Sequence, residues 1–129
     1  MPETPPSLSR RWMGKFRHAF RGCRAGVRGQ NSFIVHLPIA VLVVAVGVAL
    51  RVDCAEWAIL AVCIAGVLAA ELFNSALESM AKSVTGRSDP NVGNALDISA
   101  AAVLLTSIGA AAAGTIVFAH RVGILLSWW

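Results

Sequence analysis

The sequence predicts an all-α membrane protein in which an amphipathic surface helix precedes three transmembrane helices. Of its 129 residues, 57 % are apolar and 14 % are charged, whereas a soluble domain carries about 25 % charged residues. Seven Lys and Arg side chains fall within residues 10–28, and a long apolar run begins near Phe33. A basic segment directly before an apolar run is typical of a membrane protein whose N-terminus faces the cytoplasm. A basic nucleic-acid-binding arm is the alternative interpretation, and the apolar run makes it the weaker one.

The boundaries of the predicted elements follow from local composition. Residues 1–8 are rich in proline and are predicted to be a disordered tail. In residues 9–29, aromatic side chains and arginines recur at helical spacing on different sides, which predicts a helix lying on an anionic membrane surface. The three spans are predicted at residues 33–50, 57–78 and 98–119, each about as long as a hydrocarbon core of roughly 30 Å requires.

The segment between the second and third spans, residues 82–96, is predicted to be a polar loop. Gly86, the Asp89-Pro90 pair and Gly93 are residues that interrupt helices. Together with the N-terminal stretch this loop holds nine Lys and Arg residues, against two on the other side. We therefore expect the N-terminus and this loop to face the cytoplasm.

Four polar residues lie on one face of the second predicted span: Glu71, Asn74, Ser75 and Glu78. With 3.6 residues per turn, the two glutamates project in nearly the same direction, about 10 Å apart along the helix axis. Counted from Trp57, an interfacial anchor, Glu71 lies about 21 Å and Glu78 about 31 Å along the helix. Glu78 is therefore expected at the cytoplasmic interface, with Glu71 one to two turns inside it.

This acidic stripe predicts a functional site. Ionisable groups at such depth cost several kcal/mol unless they are paired or bind a metal, and they usually mark function. A polar stripe that only holds helices together is the structural alternative. Mg²⁺ could supply the missing positive charge, because it binds one or two carboxylates together with phosphate oxygens. The three cysteines and three histidines have no zinc-site spacing, and no phosphate-binding glycine loop occurs, so a nucleotide site would have to be built from the spans and the loop.

The motifs of this stripe resemble those of a known family. Residues 71–78, ELFNSALE, resemble the ExxNSAxE signature of the prokaryotic diacylglycerol kinases and undecaprenol kinases. Residues 95–103 resemble the AKDxxxxAV run of the same family. Residues 16–22 and 31–36 look closer to the undecaprenol kinase branch. The resemblance covers about residues 8–120.

The resemblance implies a bacterial inner-membrane homotrimer, with sites shared between subunits, that transfers the γ-phosphate of ATP to the primary hydroxyl of diacylglycerol or undecaprenol in the presence of Mg²⁺. By the resemblance, Glu71 is the general base and Glu78 holds the metal that bridges the phosphates. Asn74 and Asp97 order the nucleotide and the metal. Three residues are assigned to the lipid or its headgroup: Arg11, Arg24 and Ala100.

Three positions depart from the family pattern. Gln30 stands where the family has a metal-binding glutamate that also contacts the nucleotide, so it is expected to be a weaker, neutral ligand. Leu96 replaces a lysine, and Lys82 stands where an aspartate is usual. These departures leave open a non-catalytic scaffold that binds lipid with the same fold. A small oligomeric channel or transporter subunit is a further alternative, although the first and third spans hold few polar groups to continue a path across the membrane.

Overall fold

A computed structural model describes residues 8–29, 32–84 and 89–127 of the chain. They form four α-helices in the order α1 (Leu8–Gly29), α2 (Ser32–Ala49), α3 (Cys54–Val84) and α4 (Pro90–Leu125). No strand occurs among the described residues. The predicted all-α fold is confirmed. α3 is the helix that organises the others, because α1, α2 and α4 all pack against it and α4 does so over the greatest length.

α1 covers the predicted surface helix, while the predicted tail up to residue 7 lies outside the described residues. Three aromatic side chains of α1 are exposed: Trp12, Phe16 and Phe20. Near its C-terminal end α1 closely approaches α3, where a Cβ on Gly26 would lie 2.6 Å from Cδ2 of Leu72. The lack of a side chain at Gly26 therefore allows this approach.

α3 begins three residues before the predicted span because two reciprocal hydrogen bonds cap its N-terminus. The Asp53 carboxylate accepts a hydrogen bond from the Glu56 amide at 2.9 Å, and the Glu56 carboxylate accepts one from the Asp53 amide at 2.8 Å. This reciprocal pairing is a capping box, which satisfies backbone N–H groups that the first helical turn leaves without partners. At its other end α3 continues beyond Glu78 to Val84.

The predicted loop at residues 82–96 is wrong at both ends, because α3 continues to Val84 and α4 already begins at Pro90. Asp89 is the N-cap, and its carboxylate accepts a hydrogen bond from the Asn91 amide at 2.8 Å. Proline suits the first helical position, where its missing N–H has no helical partner. Gly93 therefore lies within the helix, and Asp97 lies two turns into α4 rather than at its start.

The membrane-spanning character of the helices is confirmed in part. α3 and α4 are each long and apolar enough to cross a membrane, and α2 counts as a third candidate only together with α1 as one bent pair. Large apolar side chains of α4 such as Ile98, Leu105 and Ile116 are at least 70 % exposed. Because the helices satisfy their own backbone hydrogen bonds, such faces are compatible with a lipid environment. The chain is thus a helical membrane protein.

A small apolar cluster joins the helices at the end of the molecule remote from Glu78. Its buried members are Val52, Leu60 and Val117. Trp57 packs beside it, where a Cβ on Gly47 would lie 2.9 Å from the indole ring. The side chain of Arg121 in α4 donates a hydrogen bond of 3.1 Å to the Leu50 carbonyl. These contacts fix α2, α3 and α4 together, and so determine which residues face each other at the other end.

Candidate active site

The acidic stripe of α3 faces other parts of the protein. Glu71 is 2 % exposed, Asn74 8 % and Ser75 6 %, while Glu78 is half-buried. Neither glutamate therefore points outward to the surroundings of the helix. The stripe is most enclosed at Glu71 and opens toward Glu78, in the order that the helix geometry predicts.

Glu71 contacts α2 through a histidine. The Nε2 atom of His36 lies 2.9 Å from Oε1 of Glu71, and the His36 side chain is 21 % exposed. The second carboxylate oxygen, Oε2, is buried and has no hydrogen-bond partner among the described residues. Buried polar atoms are nearly always hydrogen-bonded, so an orphaned carboxylate oxygen requires an explanation. Such an atom can accept the proton of a bound hydroxyl group.

Glu78 is linked to α4 through Asn74. The Ser99 hydroxyl lies 2.6 Å from Asn74 Oδ1 and donates to it, and the same hydroxyl lies 2.8 Å from the Leu96 carbonyl. The Asn74 amide in turn donates a hydrogen bond of 3.1 Å to Oε1 of Glu78. Since an amide offers both a donor and an acceptor, Asn74 connects the hydroxyl of α4 to the carboxylate of α3. The chain of hydrogen bonds fixes the orientation of Glu78.

Ser75 borders a cavity of about 370 Å³ between α1 and α3. Its Oγ atom is buried and, in the described part of the chain, has no hydrogen-bond partner. The cavity is also lined by Gly26 and, toward the end of α3, by the exposed Lys82. Positions 71 and 75 are neighbours on one helical face, so the Glu71 carboxylate lies one turn from Ser75, the member of the acidic stripe that lines this cavity.

A second cavity lies deeper, between α2, α3 and α4, and has a volume of about 290 Å³. Its lining is almost entirely apolar, and includes Val43, Leu60 and Val67. His36 lines it as well, and therefore lies between this apolar cavity and Glu71.

Residues 17–118 match the protein family described as prokaryotic diacylglycerol kinase. The chain belongs to this family. The matched region includes the whole acidic stripe, all of α2 and α4 up to residue 118, so the predicted resemblance is confirmed. An undecaprenol kinase from Bacillus subtilis (strain 168) is 29 % identical to the chain over 108 residues, which cover 84 % of this chain and 88 % of that protein. The kinase character predicted from the motifs agrees with both comparisons.

Several residues that the family resemblance assigns to the site stay predictions. Asp97, Arg24 and Ala100 are exposed, and the structure does not bring them into the hydrogen-bonded network of Glu71, Asn74 and Glu78. Gln30 and the side chain of Arg11 lie outside the described residues.

A metal ion at this site would need ligands beyond the side chains of the described residues. In the described ranges, no group of three His, Cys, Asp or Glu side chains is arranged to hold a metal ion. Mg²⁺ in nucleotide sites uses one or two carboxylates and completes its shell with phosphate oxygens and water. Glu78 provides one carboxylate at the open end of the stripe, which suits this family's expected Mg-nucleotide.

Two members of the site, His36 and Ser99, were not predicted from the sequence. His36 lies within residues 31–36 and Ser99 within residues 95–103, two segments that resemble the family, but the resemblance assigns no role to either side chain. The signal that indicates His36 is its position within an apolar span, since an ionisable residue inside a membrane usually has a functional partner. No comparable signal marks Ser99.

Proposed function

We propose that this chain transfers the γ-phosphate of ATP to the primary hydroxyl of a membrane lipid, with Glu71 as the general base. The main support for the proposal is that the two carboxylate oxygens of Glu71 differ in their hydrogen-bonding partners. Oε1 is held by His36, whereas Oε2 is buried and finds no partner among the described residues; the same holds for Ser75 Oγ, one helical turn away. A lipid hydroxyl satisfies both atoms, because it can donate to the carboxylate and accept from the serine.

The transfer requires little covalent chemistry from the protein, because phosphoryl transfer depends mainly on positioning and charge neutralisation. The hydroxyl proton goes to Glu71 Oε2 while the lipid oxygen forms a bond to the γ-phosphorus. The bond from the γ-phosphorus to its bridging oxygen breaks, and the electron pair leaves with ADP. General-base assistance of this kind contributes about 10²- to 10⁴-fold to a rate.

The cavity between α1 and α3 is the proposed route of the substrate. It extends from the buried Ser75 to the exposed Lys82, a separation of about 10 Å along the helix. A lipid that enters from the membrane brings its hydroxyl to Ser75, and the cation of Lys82 faces the phosphates of the nucleotide.

Glu78 is the proposed magnesium ligand, and Asn74 orients it. When bound, Mg²⁺ supplies charge neutralisation of the phosphates. Gln30 as a second ligand, and Asp97 as a nucleotide contact, are carried over from the family resemblance and belong to the proposal at the same positions. So do Arg11, Arg24 and Ala100 as contacts to the lipid or its headgroup.

The undecaprenol kinase relative favours undecaprenol as the acceptor, with diacylglycerol as the other candidate. The proposed setting is the bacterial inner membrane with α1 on its cytoplasmic surface, as a homotrimer. The exposed aromatic side of α1 and the exposed apolar face of α4 support this setting, since both need lipid or another subunit as a neighbour.

The test is phosphate transfer by purified full-length protein in mixed micelles, with γ-labelled ATP, Mg²⁺ and either undecaprenol or diacylglycerol. We expect labelled lipid from the wild type and a loss of at least about 100-fold for Glu71→Gln, the lower range for a missing general base. Glu56→Gln is the matched control, because glutamine retains the capping box of α3. If folded wild type labels neither lipid, or Glu71→Gln keeps its activity, the proposal is wrong.

A further inference from the structure

The buried carboxylate of Glu71 depends on one neighbouring side chain for hydrogen bonding within the described residues. It is 2 % exposed, and in the described part of the chain its side chain has one polar partner, His36. A carboxylate that is withdrawn from water needs hydrogen-bond donors from the protein to offset the loss of its hydration. His36 comes from α2, whereas Glu71 lies on α3, so this partnership depends on how the two helices pack.

The end of the molecule remote from Glu78 contains a second pair of a histidine and a buried glutamate, which differs from His36 and Glu71 in how the carboxylate oxygens are bonded. Nδ1 of His120 lies 3.3 Å from Oε1 of Glu56, which is also buried. The second oxygen of Glu56 accepts a hydrogen bond of 2.8 Å from the Asp53 amide. Both oxygens of Glu56 therefore have partners, as expected of a structural carboxylate, whereas Glu71 has a partner for only one oxygen within the described parts of the chain.

We propose that His36 is a positioning residue for Glu71: its Nε2–H fixes Oε1, so that Oε2 is presented to the lipid hydroxyl. This inference rests on the proposed function and adds a residue that the kinase motifs of α3 do not contain. A neutral imidazole with its proton on Nε2 is sufficient for this role, because it donates one hydrogen bond in a fixed direction. The ring also lines the apolar cavity between α2, α3 and α4.

Two substitutions distinguish the effect of losing the hydrogen-bond donor from the effect of losing the volume of the imidazole ring. His36→Leu keeps an apolar side chain of similar size beside the cavity and removes the donor. His36→Gln places an amide N–H close to the former Nε2 position and keeps the donor. Neither change alters the groups proposed to hold the nucleotide or the metal, so an effect through Glu71 lowers kcat and leaves the KM for ATP unchanged.

The experiment measures kcat and the KM values for ATP and lipid, together with the thermal unfolding temperature of each purified variant. We expect His36→Leu to lower kcat by about 10- to 100-fold, the loss typical of a hydrogen bond to a charged group. His36→Gln is expected to keep kcat within about fivefold of the wild type, because the donor remains. His120→Leu is the matched control, which changes the unfolding temperature but not kcat.

A double substitution tests whether His36 acts through Glu71. In a Glu71→Gln background, His36→Leu should lower the residual rate by less than about twofold, since residues that act as a unit are not additive. An additive further loss would overturn the inference.

Different kinetic results would contradict the positioning role of His36 and the proposed kinase function. If Glu71→Gln is inactive while His36→Leu keeps wild-type kcat, the positioning role is wrong and the kinase function stands. If His36→Leu fails to fold, the kinetics of His36→Gln decide. A kcat of His36→Gln that is lower by more than about 100-fold, with an unfolding temperature equal to that of the wild type, overturns the donor role. Retained activity of Glu71→Gln would instead remove the base to which this inference refers.

Discussion

The Ser99 hydroxyl of α4 donates a hydrogen bond of 2.6 Å to Asn74 Oδ1 of α3. Both residues are buried, and the contact connects the two longest helices of the chain. Because Asn74 also donates to Glu78, the position of α4 is coupled to the carboxylate proposed to hold magnesium. α4 contributes no carboxylate to this network, but through Ser99 and Asn74 it helps to orient Glu78.

Ser99→Ala is expected to lower both stability and nucleotide binding. The substitution leaves Asn74 Oδ1 without its buried donor, which costs about 1–3 kcal/mol. We expect a lower thermal unfolding temperature in detergent and a higher KM for ATP, since Asn74 then no longer fixes Glu78. Thr115→Ala is the control on the same helix, because its hydroxyl donates only to the Ala111 carbonyl at 2.7 Å. Equal effects of the two substitutions would contradict the coupling of Ser99 to the site.

Ser75→Ala is expected to affect the lipid and leave the fold intact. The Ser75 hydroxyl has no partner among the described residues, so its removal breaks no hydrogen bond of the free protein. We expect an unchanged unfolding temperature and a KM for the lipid that rises about fivefold, as for one lost neutral hydrogen bond. The KM for ATP should not change.

A suitable comparison for Ser75→Ala is Ser83→Ala, whose exposed hydroxyl donates to the Met80 carbonyl at 2.8 Å. It should have wild-type kinetics with both substrates. A drop in the unfolding temperature of Ser75→Ala with unchanged lipid KM would show that Ser75 packs the helices and does not bind the hydroxyl.

Glu78→Gln is expected to increase the Mg²⁺ concentration needed for half-maximal activity. A neutral amide binds Mg²⁺ less well than a carboxylate, and a shift of at least about tenfold is typical of altered metal-site groups. Gln30→Glu should shift the Mg²⁺ requirement in the opposite direction. The measurement is a magnesium titration at saturating ATP, with Glu56→Gln as the control. An unchanged titration for Glu78→Gln would remove its role as the ligand.

The orientation can be tested with the native cysteines. Cys23 on α1 and Cys54 at the start of α3 are both exposed, and the distribution of Lys and Arg predicts that they lie on opposite sides of the membrane. Variants that keep one of the two, with Cys63 replaced by alanine in each, are treated with a membrane-impermeant maleimide in spheroplasts. We expect Cys54 to react in intact spheroplasts and Cys23 only after permeabilisation. Labelling of Cys23 without permeabilisation would mean that the predicted orientation is wrong.

The stripe of α3 was predictable because helical periodicity is local. The spacing of Glu71, Asn74, Ser75 and Glu78 alone places them on one face, and the structure shows that this face is turned toward the other helices. The start of α4 was not predictable in the same way. Asp89-Pro90 can end one helix or begin the next, and the hydrogen bond from the Asn91 amide to the Asp89 carboxylate shows that here it begins one.

The helical membrane class, the family motif and the pair of acidic residues follow from the sequence, because they depend on composition and on neighbours within one helix. Three features became known from the packing of the helices: His36 meets Glu71, Ser99 meets Asn74, and Oε2 of Glu71 has no partner in the described ranges. The physical reason is that these contacts join residues of different helices. Their existence depends on the packing of α2 and α4 on α3, which periodicity within a single helix does not encode.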